Sequence, residues 1–511
     1  MAIDGIAPTA IPDGEGDPKE GKGFKLYPYE GYWSNLQVWR FMELSSEGGA
    51  AYKLGKDSEG EEIFQQHKKE DKKDALRRRK RSSVLNYCDF FASRFHGYVT
   101  GKRPVRVELP DVPWRRFTED ATGAGQSWAD FMDEVLRNAL DVSPIWVGID
   151  TPRVDPGRYR SLQDQIDLGV RPFVYQVDPR NVVDVEWRSG VLARIVVREE
   201  RRVKPNALAK ETSEVDFLEW QPDMWMRWRQ IAERDGSHFV VAKEPVSSGP
   251  NPWGFIPFEP VHFGRPRRRL PVFSRSMIHD CATLQRDVFR LLSLYFEELF
   301  NRTFSTMVLA GTTGDEIGTQ LNQTLLVLED PEARVAAAGA DTAQAESLLE
   351  SLKWLIKNMF RVAQFESSGD PADVATRSAE SGKKKARDLE GLYQVLGRFS
   401  AGAQHAENRI LRMYERIAGL REGTVARTAY PVDYNVQSTA ELIEELGDLQ
   451  LAQFPPTFVG EVKKGIMRRM RPEIPDAVWT KVEEEVRSQV QADMEAIIEE
   501  VDREVNGGEA A

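Results

Sequence analysis

The stretch that organises this chain begins at Ser274–Asn301, SRSMIHDCATLQRDVFRLLSLYFEELFN. Its apolar residues recur at the i, i+3, i+4, i+7 spacing of a helix with one buried stripe. The pattern returns at Thr342–Glu366 and again at Glu380–Ala418. A globular helix averages roughly 11–12 residues, whereas the first segment alone would be about 42 Å long. We expect these three helices to need partners along their whole length, from this chain or from neighbouring copies.

Composition limits the class of protein. The chain has 511 residues, 41% of them hydrophobic and 29% charged, enough for roughly three domains. Its net charge of −12 disfavours a general nucleic-acid binder held by surface-wide positive charge. Cys88 and Cys281 lie in apolar helical stripes, which predicts buried thiols in a reducing compartment. There is no signal-peptide pattern and no apolar run of about 18 residues, so we expect a soluble, intracellular protein.

The N-terminal region contains two segments that resemble phosphate-binding sequences. Residues 1–26 are rich in Gly, Pro, Asp and Lys, which predicts disorder. Within them, Gly16–Gly23 departs from a phosphate-binding loop at Gly23 and follows no strand, so we predict no nucleotide site. Lys68–Arg81 holds nine basic residues and is expected to run on into a helix that ends near Gly97. This stretch is either a patch for nucleic-acid phosphates or, as the sequence favours, a solvated helix face.

The middle of the chain shows a helix followed by hairpins. Ser127–Asp130 is a capping box that opens a helix to about Leu140. Val182–Trp187 and Val191–Val197 flank the turn Arg188-Ser189-Gly190, which predicts a hairpin. Further strands are predicted near Phe217–Gln221 and Met224–Gln230, and a second hairpin turn at Asp235-Gly236.

The region after the first long helix is expected to hold a small α/β insertion and a break. Candidate strands Thr303–Ala310 and Thr324–Glu329 precede the second helix. Gly369 and Pro371 prevent that helix from continuing into the third. Three C-terminal helices are predicted, at about 439–452, 457–470 and 476–505.

No catalytic or metal-binding motif is present in the sequence. The six histidines are scattered, and HExxH, GxSxG and GxGxxG patterns do not occur. Asp130 and Asp133 share a helix face but have the character of ordinary solvated residues. We therefore predict no enzyme activity and no cofactor, although catalytic geometry need not leave a sequence pattern.

The order of these elements resembles that of the portal proteins of tailed bacteriophages. The likeness covers roughly residues 30–505. It rests on four segments: YQVDPRNVVD at 175–184 followed by the Ser189-Gly190 hairpin, WGFIPF at 253–258, SMIHD at 276–280 and SGKKKAR at 381–387.

The resemblance implies an α+β fold that is mainly α-helical. It divides the chain into a disordered tail (1–26), an α/β wing (27–273), a first stem helix (274–301), a clip (302–339), a second stem helix (340–366), a tunnel loop (367–380), a long bracing helix with a return to the wing (381–437), a helical crown (438–505) and a tail (506–511).

It also implies a closed ring, usually a dodecamer, at one vertex of the virion capsid. Double-stranded DNA passes through the central channel during packaging and ejection. The large terminase and adaptor or neck proteins dock on the ring, and major capsid and scaffold proteins are further partners. The protein would reside in the host cytoplasm during assembly. The alternatives are another ring-forming neck or scaffold component, or a nucleic-acid enzyme that uses the 68–81 stretch.

Three groups of site residues follow from the resemblance. The tunnel loop would present Ser368, Gly369, Asp370, Pro371, Asp373, Thr376 and Arg377. The start of the third helix would present DNA-facing cations, or simply an exposed helix start, at Lys383, Lys384, Lys385 and Arg387. The clip would dock partners through Thr303, Gly311, Gly314, Asp315, Gly318 and Glu329.

Overall fold

The computed structural model describes residues 23–101, 104–106, 112–152, 171–204, 206, 210–264, 272–303, 307–310, 325–328, 342–365, 390–420, 428–431, 434, 456–470, 481–488, 491–492 and 495. The chain divides into two compact units, Met1–Tyr434 and Asn435–Ala511. The structure is 50% helical and 22% strand, with an antiparallel curled sheet, which confirms an α+β fold in general terms.

The helices of the first unit are α1 (Tyr32–Glu47), α2 (Gly49–Leu54), α3 (Lys72–Arg81), α4 (Tyr87–Gly101), α5 (Val112–Glu119), α6 (Trp128–Asp141), α7 (His279–Thr303), α8 (Thr342–Val362) and α9 (Glu390–Ile417). Its strands are β1 (Phe24–Leu26), β2 (Val105–Arg106), β3 (Ile145–Asp150), β4 (Phe173–Val177), β5 (Val182–Arg188), β6 (Val191–Val203), β7 (Thr212–Trp220), β8 (Met224–Asp235), β9 (His238–Val241), β10 (Ser247–Pro250), β11 (Phe258–Val261), β12 (Met307–Ala310), β13 (Leu325–Leu328) and β14 (Thr428–Ala429).

The second unit contains the helix α10 (Pro456–Met470), and residues 481–488 are also helical. Ile466 and Val486 are buried in it. The prediction of a helix at 457–470 is thus confirmed. The helix predicted at 439–452 lies outside the described residues.

The larger sheet has the order β1-β9-β8-β7-β6-β5, with β10 also paired to β8. Its pairings are antiparallel. Ser189 and Gly190 join β5 to β6 with φ of 50° and 80°, the left-handed values that a tight two-residue hairpin turn requires at both positions. Asp235 pairs with His238 across the next predicted turn. Both predicted hairpins are therefore confirmed.

A second sheet, of order β11-β3-β4, lies against the long helix α9. All but the last residue of β3 is buried, as expected for a strand covered on both faces. Position 148 of β3 requires a glycine, because a Cβ atom there would lie 2.6 Å from the Tyr175 ring and 2.9 Å from the Phe258 ring. Helix α6, which begins where Ser127 Oγ accepts from Asp130 N at 3.1 Å, packs on the same sheet.

Several predicted boundaries are wrong. The first long helix begins at His279, not Ser274, because Ser274 is buried outside the helix with its Oγ 2.6 Å from Ser143 Oγ. Phe24–Leu26 do not belong to a disordered tail, since they pair with β9. The predicted tail residues 1–22 lie outside the described residues.

The basic stretch and the apolar stripe after it form two helices, not one. Helix α3 ends at Arg81, where the buried Ser82 hydroxyl donates to the Arg78 carbonyl at 2.7 Å. Helix α4 starts anew with Asn86 Oδ1 accepting from Asp89 N and ends at Gly101.

Candidate functional site: a helical hairpin and the base of a loop

Most residues predicted for the functional site lie outside the described part of the chain. This holds for all the predicted tunnel-loop residues, for the cations at Lys383, Lys384, Lys385 and Arg387, and for the clip residues Gly311, Gly314, Asp315, Gly318 and Glu329. Thr303 is the last residue of α7. What the structure describes is the framework that carries these segments.

The insertion between α7 and α8 contains two strands, Met307–Ala310 and Leu325–Leu328, within the predicted ranges. The predicted start of the first strand and of the clip is too early, because Thr303 still belongs to helix α7. The two strands pair in parallel, from Met307 opposite Leu325 to Ala310 opposite Leu328. Parallel strands need a crossover connection of about a dozen residues or more, and residues 311–324 supply that length. The prediction of a separate folded insertion is supported by this pairing.

Helices α7 and α8 pack against each other, but their burial is uneven. The first half of α7 is enclosed, with Cys281, Val288 and Phe289 buried. In its second half the side chain of Leu294 is 43% exposed, and on α8 that of Trp354 is 63% exposed. The hairpin therefore carries large apolar side chains that the described part of the chain leaves exposed.

The first half of α7 is fixed to the loop that follows α2. Asp57 is buried and accepts from Glu59 N and Glu61 N, each at 3.0 Å, and from Arg286 Nη1 at 2.8 Å. Burial raises the pKa of Asp57, but these hydrogen bonds outweigh it and leave the pKa below its ordinary value. Arg290 adds hydrogen bonds to the carbonyls of Ile63 and Glu62 at 2.9 Å.

The second half of α7 is fixed to α3. Arg78 is buried and donates to both carboxylate oxygens of Glu70 at 2.8 Å, to Ser293 Oγ at 2.7 Å and to the Gln65 carbonyl at 2.8 Å. The Arg78 guanidinium holds the pKa of Glu70 below its ordinary value. Arg81 lies over the Phe300 ring at 3.6 Å.

The start of the predicted tunnel loop is a well-defined helix end. Gln364 adopts a φ of 61°, and hydrogen bonds run from Phe365 N to Phe360 O and from Gln364 N to Arg361 O at 2.8 and 3.0 Å. This is a Schellman motif, in which a left-handed residue closes the helix. The predicted end at Glu366 is thus too late, because the motif stops α8 before Gly369 is reached.

Phe365 is the last described residue before the loop, and it is buried. Its ring stacks on Phe91 of α4 with centroids 5.6 Å apart and planes 11° apart, and Phe360 meets Phe91 edge-on at 5.1 Å. Aromatic pairs of this kind add about 0.5–1.5 kcal/mol beyond their burial. The loop therefore leaves from a rigid aromatic platform.

The chain comes back to the end of α8 at the start of α9. Gly391, in the first turn of α9, approaches Gln364 so closely that a side chain there would lie 2.7 Å from Gln364 Oε1. Residues 366–389 thus connect two points that touch. The predicted tunnel loop, 367–380, and the predicted start of the third helix, 380–389, both fall in this connection and lie outside the described residues.

Helix α9 is fixed at its centre by a buried carboxylate. Glu407 accepts from Arg106 Nε at 2.7 Å, Trp128 Nε1 at 2.9 Å, Thr428 Oγ1 at 2.9 Å and Tyr430 OH at 2.6 Å. Sequence reasoning missed this residue. The signal was present, because Glu407 interrupts the apolar stripe of α9, and a charge in such a stripe indicates a buried partner.

Two buried titratable groups lie where the second sheet meets α9 and the start of α7. Glu259 of β11 is paired with Arg409 at 3.1 Å, and burial raises the pKa of Glu259 to about 7. His262 Nδ1 lies 3.0 Å from Ser274 Oγ, and burial lowers the pKa of His262 to about 4. Burial thus disfavours the charged form of both groups at this junction.

A cavity of about 430 Å³ lies between α1 and the larger sheet. Trp33 and Phe239 give it an apolar wall, and Arg40, Arg180 and Arg198 give it positive charge. Arg180 is already bound to Glu43 and Asp178, and Arg198 to Glu200. The cavity therefore offers little uncompensated charge.

Three further findings concern metal sites, membrane-spanning helices and cysteines in the described part of the chain. Within the described residues, no three His, Cys, Asp or Glu side chains are placed to hold a metal ion. Among the described helices, none is long and apolar enough to cross a membrane. Cys88 and Cys281 are buried free thiols, as predicted.

Comparison with protein-family models and with characterised proteins finds no significant match.

Proposed function

We propose that this protein is the portal subunit of a tailed bacteriophage. In that role, copies of the chain form a ring at one capsid vertex, and double-stranded DNA passes through the central channel. The observation that carries the proposal is the contact between Gln364 and Gly391. It brings the two ends of 366–389 together where two long helices meet, which suits the proposal that the predicted loop at 367–380 lines a channel.

The exposed apolar residues of the hairpin support assembly into a ring. Trp354 and Leu294 are large, exposed side chains on α8 and α7. Tryptophan is among the residues that contribute most to protein interfaces. Copies of one chain form a closed ring when the same surface of each copy is covered by the next copy around a rotation axis. In such a ring, the apolar surface of one hairpin would be covered by the neighbouring subunit.

The firm attachment of the long helices α7 and α9 to the rest of the unit also suits a channel through which DNA is moved. Helix α7 is fixed to the body through Asp57 and Arg78, and α9 through Glu407. A loop held between such helices moves without unfolding them, since local stability differs along a chain. The net charge of −12 is suited to DNA passage, because extensive phosphate neutralisation would slow sliding.

The remaining partners follow the same assignment. The insertion with β12 and β13 would dock the large terminase during packaging and adaptor or neck proteins afterwards. Binding segments are often small units placed on rigid supports. Major capsid and scaffold proteins would surround the ring.

Sedimentation velocity and negative-stain imaging of the full chain test the proposal. The expected result is one species many times heavier than the 58.0 kDa chain, seen as annular particles with a central hole. A protein that sediments as a monomer over a wide concentration range would overturn it.

A further inference from the structure

The basic stretch at 68–81 separates into anchoring cations and free ones. Arg78 is buried and donates hydrogen bonds to Glu70 and Ser293, and Arg81 forms a salt bridge with Glu297 at 3.4 Å. Arg77 has only an exposed pair with Asp74 at 3.3 Å. Five cations of this stretch form no ion pair with another described residue: Lys68, Lys69, Lys72, Lys73 and Lys80. Arg79 lies over the Phe64 ring at 6.0 Å.

Two of the free cations oppose the stability of α3, whereas Lys80 lies in its last turn, where a cation is favourable. Lys72 and Lys73 occupy its first turn, where the positive end of the helix dipole repels them at a cost of about 0.3–1 kcal/mol each. Asp71, which caps Lys72 N at 2.7 Å, and Asp74 offset only part of that cost. Lysines placed at the start of α3, where the helix disfavours them, and two more exposed lysines just before it, Lys68 and Lys69, in a chain of net charge −12, indicate an external anionic partner.

The same helix is held rigidly. Ala75 and Arg78 are buried on its inner side, and Lys72, Lys73 and Lys80 are exposed on the other. Ten helical residues extend about 15 Å. Duplex DNA carries about one phosphate charge per 1.7 Å of its axis, so a matching length presents more phosphates than there are free cations.

We propose that α3 and residues 68–71 form a ridge that binds the phosphate backbone of duplex DNA. The free cations are lysines, which are flexible point charges, and the exposed part of the ridge also carries Leu76 and the carboxylates of Asp71 and Asp74. Recognition would therefore be independent of base sequence. Phosphate recognition follows from the ridge itself, whereas the choice of duplex DNA rests on the proposed function.

Fluorescence anisotropy of the full chain with a labelled duplex of mixed sequence tests the ridge. Binding is measured from about 50 to 200 mM salt for the native chain and for Lys72→Gln/Lys73→Gln/Lys80→Gln. We expect the triple variant to bind at least tenfold more weakly, with a salt slope shallower by about 2.7, since each phosphate contact contributes about 0.9. Lys72→Arg/Lys73→Arg/Lys80→Arg should retain native binding.

The matched control is Lys243→Gln/Lys353→Gln/Lys357→Gln, which removes the same charge from exposed lysines elsewhere. Its binding should remain native. Equal loss in both triple variants would attribute binding to net charge and overturn the ridge, as would no loss in either. Tighter binding of an RNA duplex would overturn the DNA assignment.

Imaging of the same samples separates this inference from the proposed function. Rings without ridge-dependent binding overturn the ridge alone. Ridge-dependent binding by a monomer overturns the portal assignment alone. If the ridge variant changes the mass of the assembly while DNA binding stays native, the ridge is a contact between subunits and the proposal fails.

Discussion

Arg106 Nε donates to Glu407 Oε1 at 2.7 Å, and its Nη2 donates to Oε2 at 3.2 Å, across 301 positions of sequence. The two oxygens also accept from Trp128, Thr428 and Tyr430. One carboxylate thereby ties α9 to α6 and to the short strands β2 and β14.

Replacing Glu407 by Gln should destabilise the protein by about 3–5 kcal/mol. The substitution leaves a buried guanidinium without its counter-charge, which is costly in an interior, and the amide nitrogen cannot accept. Chemical unfolding measures the change. Glu350→Gln on the exposed face of α8, where Glu350 pairs with Lys353 in water, is the control and should stay within about 0.5 kcal/mol. Equal effects of the two variants would contradict the assigned role of Glu407.

Glu259 and His262 should have opposing effects on stability between about pH 4.5 and 6.5. The raised pKa of Glu259, about 7, gives stability that is present below its ordinary pKa and is lost as pH rises toward 7. The lowered pKa of His262, about 4, gives stability that is present above its ordinary pKa and is lost as pH falls toward 4. Each effect amounts to about 3 kcal/mol.

The two contributions can be separated by measuring the free energy of unfolding against pH for each variant and comparing it with that of the native chain. For Glu259→Gln, stability relative to the native chain should rise with pH across this window, because the variant lacks the Glu259 contribution, which falls with pH. For His262→Gln it should fall. Parallel curves for the native chain and both variants would show that neither group titrates as assigned.

Deleting Asp370–Thr376 should leave the fold and the ring intact. The ends of 366–389 already meet at Gln364 and Gly391, and shortening this loop from 24 to 17 residues changes its closure free energy by only about 0.3 kcal/mol. Under the proposed function, DNA retained per particle should fall. Particles that fill and hold DNA normally would show that the segment is only a connector.

Phe365→Ala is the contrasting change at the same site. It removes a buried ring stacked on Phe91 and should cost about 3–5 kcal/mol. Thermal unfolding of the two variants side by side distinguishes the rigid base from the tolerant loop. A deletion as destabilising as Phe365→Ala would mean that the segment is itself part of the core.

Trp354→Ser should weaken assembly while leaving the subunit folded. The Trp354 side chain is largely exposed in the single chain, so its loss should change the free energy of unfolding by no more than about 0.5 kcal/mol. Analytical ultracentrifugation should show a shift toward lighter species. Lys353→Ser, an equally exposed neighbour, should assemble as the native chain does. Identical sedimentation of all three would place the subunit contact elsewhere.

Local patterns predicted most of the described elements. The Ser189-Gly190 turn, the Ser127 cap and the apolar stripes of α7, α8 and α9 are each set by residues close together in sequence. Such signals depend on backbone preference and on which face is apolar, and both can be read along the chain. Boundaries follow less directly from the apolar pattern. Ser274 stays outside α7 through its contact with Ser143, far away in sequence, and Gln364 ends α8 through a local left-handed turn that the apolar stripe does not indicate.

The sequence by itself determined the three long amphipathic helices, the two hairpin turns of the larger sheet and the burial of its thiols. Only the tertiary structure decided that Glu407 gathers partners from Arg106, Trp128, Thr428 and Tyr430, that Gln364 meets Gly391, and which cations of 68–81 are anchors and which are free. The reason is physical: a local preference acts over a few residues, whereas the cost of burying a charge is relieved by whatever partner the fold brings near, at any distance along the chain.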